Sequence, residues 1–297
     1  MSNKPRKMTL EKKHNLTGWA FLAPATFLIA VFSFWPMIKA LVLSFQTGKG
    51  TNMQMAGFTN YIRMFQDDVF IQSIKNTFFY FVLQVPIMLV VAMVLACILN
   101  KKDLRFKGFF RTMIFLPCTT SLVAYSIIFR SLFANDGLVN YVLVNLGILD
   151  KPYNFLTQPF AAKMVIILAL LWRWTGYNMV FFLSGLQNIE YSVYEAAKID
   201  GASAIQTFFK ITVPLLKPTI LLTAIMSTNG TLQLFDESIN LTDGGPANAS
   251  ISMSHYIYNL CFKYVPNFGY AAAMSFFILL LVAVLAFIQM RVGDKRD

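Results

Sequence analysis

The sequence predicts an all-α integral membrane protein, with about six transmembrane helices and a cytoplasmic helical elbow between the fourth and fifth. Three observations predict it. The 297 residues are 57% hydrophobic and only 13% charged, where a soluble domain carries about 25% charged residues. Six segments reach the roughly 20 apolar residues that a bilayer core demands. The cations between those segments fall mostly on one side. Sixteen Lys and Arg occupy residues 1–17, 100–111, 186–217 and the tail, against five (Lys49, Arg63, Lys75, Lys151, Lys263) in the opposite loops, while the acidic residues divide evenly. That asymmetry of cations places both termini and the elbow in the cytoplasm. It also assigns the net charge of +11 to a membrane surface rather than to nucleic acid.

Residues 1–18 read as a polar cytoplasmic segment, 19–290 as the membrane domain and 291–297 as a cytoplasmic tail. The spans are 19–44, 76–99, 110–133, 161–185, 216–235 and 269–290. The first is too long for a signal-peptide core and reads as an uncleaved anchor. Pro24 and Pro36 predict a kink or break in it. Residues 60–77 carry a helical apolar stripe (Tyr61, Met64, Phe65, Phe70, Ile71, Ile74), which predicts a surface helix along the outer interface. Cys97, Cys118 and Cys261 have no metal-type spacing and read as small buried hydrophobes. His14 and His255 stand alone in loops and read as surface side chains.

The elbow is the polar stretch YEAAKIDGASAIQTFFKITVPLLKP, residues 194–218. Ser192-x-x-Glu195 predicts a capping box that starts a helix over 193–199, and Gly201 supplies the left-handed residue that ends it. Ser203-x-x-Gln206 predicts a second box and a second helix over 204–212, which Pro214 and Pro218 end or bend. Helices this short are marginal alone, so the elbow must pack on something. The small residues Ala196, Ala197, Gly201 and Ala202 permit a close approach. An amphipathic hairpin on lipid headgroups is the alternative, although Glu195 and Asp200 would then face anionic lipid.

In the fourth span, Arg173 lies about 18 Å along the axis from Gly185, near mid-bilayer, where a lone Arg costs about 2.5–3.5 kcal/mol. It must face the bundle interior and find a partner, with Asp236 or Glu237 available. A structural ion pair, snorkelling and a role in a pathway all remain open. Lys39, Arg130 and Lys163, nearer span ends, snorkel. Trp174, Tyr177 and Asn178 share one helix side, and aromatic faces with an amide suit a neutral, hydroxyl-rich solute. Helix packing or an interfacial aromatic belt would use the same residues. Trp172, Phe235 and Asn240 are weaker candidates. Thr242 to Pro246 is a turn cluster, containing Gly244 and Gly245.

Glu195-Ala196-Ala197, Gly201 six residues after the Glu, and Ile211-x-Val-Pro214 resemble the EAA motif of permease subunits of ATP-binding-cassette importers. The Asp200-Gly201-Ala202 form resembles the carbohydrate-uptake branch. GWAFLAPATFLIAVFSFWPMIKALVLSF, GFTNYIRMF, WRWTGYNMVFFLSGLQNI and TDGGPANAS are similar to that family in its order, over nearly the whole chain. Val213 stands where the family usually has Leu, and Asp243 where glycine is more typical. The resemblance implies a type I importer permease fold with the elbow as a coupling helix. Glu195 would make a charged contact in an ATPase cleft, the alanines would pack there, and Gly201 would permit the turn. It also implies a second homologous permease, an ATPase dimer, a solute-binding protein beside Gly244, Gly245 and Pro246, and a carbohydrate cargo. The chain has no GxxxxGK[ST] loop, so ATP and Mg²⁺ would belong to the ATPase subunits, and no cofactor or metal is expected on this chain. No catalytic constellation is present, so a membrane enzyme is disfavoured. All Asp and Glu fall outside the six spans, which disfavours an ion-driven secondary transporter. A glycerophosphodiester or another polar solute remains an alternative cargo.

Overall fold

A computed structural model describes residues 10–49, 52–101 and 103–293. The first nine residues of the expected N-terminal segment and the last four of the tail lie outside the described residues. Among the described residues, four helices are long and apolar enough to cross a membrane: His14–Ser44, Asp68–Asn100, Pro159–Gln187 and Phe268–Gly293. Two further spans are broken pairs, Lys107–Thr119 with Leu122–Leu132, bent by 98°, and Ala204–Leu215 with Lys217–Leu232, bent by 70°. The six expected spans are thus present, two of them in halves.

In the first span, α1 (Leu10–Ile29) runs through a π-helical turn (Ala30–Phe34) into α2 (Trp35–Ser44). Of the expected kink or break at the prolines, no break occurs. The wider turn ahead of Pro36 absorbs the proline, with the Trp35 N–H donating to the Ala30 carbonyl. This span is exposed along nearly its whole length. A short antiparallel hairpin, β1 (Gln46–Lys49) and β2 (Asn52–Met55), follows; sequence reasoning missed it.

The stripe over 60–77 is not one surface helix. α3 (Thr59–Met64) stops, and Asp67 caps α4 (Asp68–Asn100), accepting from Val69 N at 3.0 Å and Phe70 N at 3.2 Å. Part of the stripe turns inward: Met64 and Phe70 are buried with Ile251, Tyr256 and Met274, while Phe65 stays exposed. Asp67 also accepts from the Tyr256 and Tyr270 hydroxyls, each at 2.7 Å. It thereby ties α4 to α14 (Met253–Tyr258) and to α15 (Phe268–Gly293).

The third span divides into α5 (Lys107–Thr119) and α6 (Leu122–Leu132). Pro117 lacks an N–H and crowds the preceding turn, and the chain turns extended at Thr120. α7 (Leu138–Asn145) follows, then α8 (Pro159–Gln187), the most buried span. α5 crosses α8 at Gly176, where an added Cβ would stand 1.9 Å from the Ile114 carbonyl oxygen. Small residues at such crossings let helix backbones approach closely in membranes. On the other side of α8, Ala92 and Ala96 of α4 meet Met179, Phe182 and Leu183.

Cys97, Cys118 and Cys261 are free and half-buried rather than fully buried. Lys163 does not simply snorkel: its Nζ donates to Asn76 Oδ1 at 3.1 Å. Lys39 and Arg130 are exposed. His14 is exposed as expected, but His255 is not a surface residue. It is fully buried, with Nδ1 2.9 Å from the Ser238 hydroxyl.

Candidate functional site

The elbow begins where α8 ends. α9 (Tyr191–Ile199) starts two residues earlier than expected, and its N-cap is Glu190, with no side-chain cap bond. The Ser192–Glu195 box does not form, because Ser192 already lies inside the helix; its hydroxyl turns back to Glu190 at 3.3 Å. Gly201 does end the helix, at φ +76°, a conformation that costs glycine little. The Ala202 N–H then returns to the Ala197 carbonyl at 2.9 Å. The second capping box is complete: Gln206 N donates to Ser203 Oγ at 3.3 Å, and Ser203 N donates to Gln206 Oε1 at 2.9 Å.

The second arm outruns the expected 204–212. α10 (Ala204–Thr207), a π-helical stretch (Phe208–Thr212) and α11 (Val213–Leu215) form one rod. Pro214 is tolerated near the start of α11, and the bend falls at Leu216, before α12 (Lys217–Leu232). The Tyr194 hydroxyl lies 3.4 Å from that of Thr212, strapping the two arms together.

Glu195, Ala196, Asp200, Gly201 and Pro214 are exposed, Ala202 is half-buried, and Ala197 is buried against its own chain. Only one alanine of the pair is therefore free to meet a second surface. Sequence reasoning missed the apolar side chains beside them: Ile199 is 86% exposed, Ile205 72% and Phe209 65%.

The second region is a cavity of about 320 Å³ among α4, α8, α12 and the start of α13 (Asp236–Thr242). Trp174, Tyr177, Asn178 and Phe235 all line it, so the shared side expected of the first three is real. The Trp174 and Tyr177 rings meet edge to face, with centroids 5.8 Å apart. Trp172 points away, onto Tyr125 and Phe129. Asn240 donates to the Asp236 carbonyl and is not part of the wall.

Arg173 does not line the cavity either, and it does not pair with Asp236 or Glu237. It is buried, and its Nη1 donates to the Thr120 carbonyl at 2.9 Å, with the Cys118 carbonyl 3.5 Å from Nη2. The guanidinium lies over the rings of Tyr125 and Trp174. The physical reason is the broken third span. Its freed carbonyls sit at membrane depth and need donors, and a guanidinium supplies several in one plane. Glu237 instead accepts from the Tyr125 hydroxyl.

Several wall residues went unnoticed in the sequence, Gln84, Ser227, Thr231 and Gln233, while Asp236 and Glu237 were singled out only as partners for Arg173. Gln84 and Gln233 were findable as amides within or beside apolar spans. They required the pairing of α4 with α12 to be placed, and here Thr231 donates to Gln84 Oε1 at 2.7 Å.

The turn cluster lies at the opposite end of the bundle from the elbow. Asp243 adopts φ 48°, as suits a position where glycine is typical, and Gly244 adopts φ 73°. Gly244 is buried, with Gly245 and Pro246 half-buried. Ser250 Oγ donates to the Gly245 carbonyl at 2.6 Å, and Asn76 holds the Asn248 and Ile251 carbonyls. This loop is fastened to the bundle, with Asp243 and Ala247 as its exposed points.

Residues 68–296 match the family model of the binding-protein-dependent transport system inner membrane component. The chain is 52% identical over 292 residues to the lactose transport system permease protein LacF of Rhizobium radiobacter, covering 98% of both chains. It is 33% identical to the multiple sugar-binding transport system permease protein MsmF of Streptococcus mutans, covering 97% of this chain and 99% of that one. Its fold superposes with a TM-score of 0.84, at 25% identity and 96% coverage of each chain, on a chain of a bacterial alginate ABC transporter solved in complex with an alginate pentasaccharide-bound periplasmic protein. With six apolar spans, whole or broken, and this match over most of its length, the chain belongs to the inner-membrane components of binding-protein-dependent transport systems.

Proposed function

We propose that the chain is one of two permease subunits of an ATP-driven carbohydrate importer, with the elbow and both termini in the cytoplasm. The observation that carries this reading is the division of labour within one chain. A capped and strapped elbow with uncovered Ile199, Ile205 and Phe209 stands at one end, and an aromatic-and-amide cavity lies within the spans. The cavity wall offers ring faces for sugar C–H groups and polar atoms for hydroxyls. The elbow offers Glu195, Ala196 and Asp200 to an ATPase subunit, which holds the ATP and Mg²⁺. Gly244, Gly245 and Pro246 lie beside the docked solute-binding protein. As the ATPase dimer closes, the elbow moves as one body and pulls on α8 and α12, because three residues join α8 to α9 and the rod of α10 and α11 meets α12 at the bend at Leu216. Arg173 acts as a positioning residue for the broken third span, next to the pathway rather than in it.

The test is affinity purification of the tagged chain from its native membrane. A second permease, an ATPase and a solute-binding protein carrying a saccharide are expected to come with it. Co-purification with no ATPase, or labelling that puts Ser203→Cys outside the cell, would overturn the reading.

A further inference from the structure

The chain carries a net charge of +11, yet among the described residues the cavity wall holds Asp236 and Glu237 and no Lys, Arg or His. The nearby guanidinium of Arg173 is withdrawn from the wall and fastened to the carbonyls at the α5–α6 break. The wall amides each have a partner: Asn178 donates to the Trp174 carbonyl and accepts from Ser227, Gln84 accepts from Thr231, and Gln233 donates to Asn229. Glu237 is 4% exposed and held by the Tyr125 hydroxyl. Asp236 is half-buried, and among the described residues no hydrogen bond or ion pair engages its carboxylate. The Asp236 carboxylate is therefore the unengaged charged group of the wall, beside the Trp174 and Tyr177 rings. A carboxylate accepts from hydroxyl donors and repels a second anion. At a separation of about 6 Å and an effective dielectric of about 20, that repulsion is worth at most roughly a hundredfold in affinity, and solvent screening of a half-buried carboxylate brings it nearer to about fivefold to tenfold.

We propose that Asp236, backed by Glu237, sets the charge selectivity of the cavity, admitting neutral hydroxyl-rich solutes and excluding those that carry a carboxylate or phosphate. This rests on the carbohydrate reading and narrows it. It also removes glycerophosphodiesters from the candidate cargoes.

The experiment uses the purified permease–ATPase complex, washed free of binding protein, in equilibrium dialysis with radiolabelled lactose, maltose and cellobiose and with their aldonates. Each aldonate differs from its sugar by an added carboxylate and an opened terminal ring. At least one neutral sugar should bind about fivefold to tenfold more tightly than its aldonate. Asp236→Asn should reduce that ratio by about fivefold, and Asp236→Lys should reduce it further. Equal binding of sugar and aldonate by the unaltered complex overturns the charge proposal while leaving the carbohydrate reading standing, and needs no variant to fold. An unchanged ratio in both variants, with the complexes intact on gel filtration, also overturns it. Binding of the aldonates and sugars alike to none of the complexes would remove the carbohydrate reading and this proposal together.

Discussion

The elbow and the cavity are built on opposite principles. The elbow draws on one stretch of chain, and its geometry is set by neighbours in sequence: Gly201, the Ser203–Gln206 box and the Tyr194–Thr212 strap. Its working face is left uncovered. The cavity gathers side chains up to about 150 positions apart, from Gln84 to Glu237, with Gln84, Asn178, Thr231 and Glu237 buried. The contrast teaches that the part expected to move is locally stiff, whereas the part expected to hold solute depends on how whole spans pack. A change in the elbow should therefore spoil the transmission of motion without spoiling assembly. A change at a helix crossing should spoil the cavity by spoiling the bundle.

The largest effect should come from that crossing. Gly176→Val places side-chain carbon where the Ile114 carbonyl already stands, 1.9 Å from an ideal Cβ. Backbone cannot yield as a side-chain tip can, and overpacking by even a few methylenes costs about 1–3 kcal/mol or more. Loss of assembled complex is expected, read as a fall in the gel-filtration peak by more than about tenfold. A normal peak would show that α5 and α8 do not meet there.

The elbow gives the complementary result. Gly201→Pro replaces φ +76° by the proline value near −65°, which cannot end α9 in the same direction. Uptake in proteoliposomes should fall by about tenfold or more, while insertion and the gel-filtration profile persist. Gly201→Asn, which tolerates the left-handed region, should retain most uptake. If both variants transported alike, the turn at Gly201 would have no part in coupling.

This pair of regions also explains what was legible in the sequence. Span number, the second capping box and the role of Gly201 as a turn follow from local rules, and all three are present. The Ser192–Glu195 box failed because the helix starts two residues earlier, with Glu190 at the N-cap and Ser192 already inside it. The partner of Arg173 was misjudged for a different reason. A carboxylate is the obvious partner in a linear string, but the carbonyls freed at Thr120 exist only once α5 and α6 break apart. The inward turn of Met64 and Phe70 goes with Asp67, which caps α4 through one oxygen and through the other meets the Tyr256 and Tyr270 hydroxyls, some 190 and 200 positions away. Wall residues such as Trp174, Tyr177 and Asn178 were visible because one helix presents them together. Their companions on α4 and α12 were not, since nothing in the sequence pairs those helices.

A mid-sized effect should separate solute contact from packing. Tyr177→Ala removes a ring that meets Trp174 and Phe181 within the cavity and against α8 itself. If the ring serves solute, uptake should fall about five- to tenfold, with assembled complex reduced by less than about twofold. Such a loss corresponds to about 1–1.4 kcal/mol. Parallel losses of uptake and assembly would assign the ring to packing.

The smallest effect lies at the end away from the elbow and depends on pH. Burial holds the His255 imidazole down to about 4, with Asp243 opposing and Lys263 adding to the shift, below the unperturbed value near 6.5. Ser238 occupies Nδ1, and Asp243 Oδ1 lies 3.6 Å from Nε2. Because the folded value is the lower one, the unfolded chain binds the proton first as pH falls. The contribution of His255 to stability is thus complete well above pH 6.5 and is lost progressively as pH falls from there towards 4. Between pH 7 and pH 6 the loss is about 0.7 kcal/mol. Asp67 acts in the same direction at lower pH. Burial would raise its carboxyl, but the hydroxyls of Tyr256 and Tyr270 and the Phe70 and Val69 N–H groups outweigh burial and hold it below 3.8, so its contribution fades only under stronger acid. Melting of the purified complex should accordingly shift downward by a degree or a few between pH 7 and pH 6, and His255→Gln should flatten that dependence while leaving the steeper loss below pH 4. A slope unchanged by His255→Gln would mean that the imidazole meets water at this end of the bundle, and that the loop carrying Gly244 to Pro246 opens far more readily than its hydrogen bonds to Ser250 and Asn76 imply.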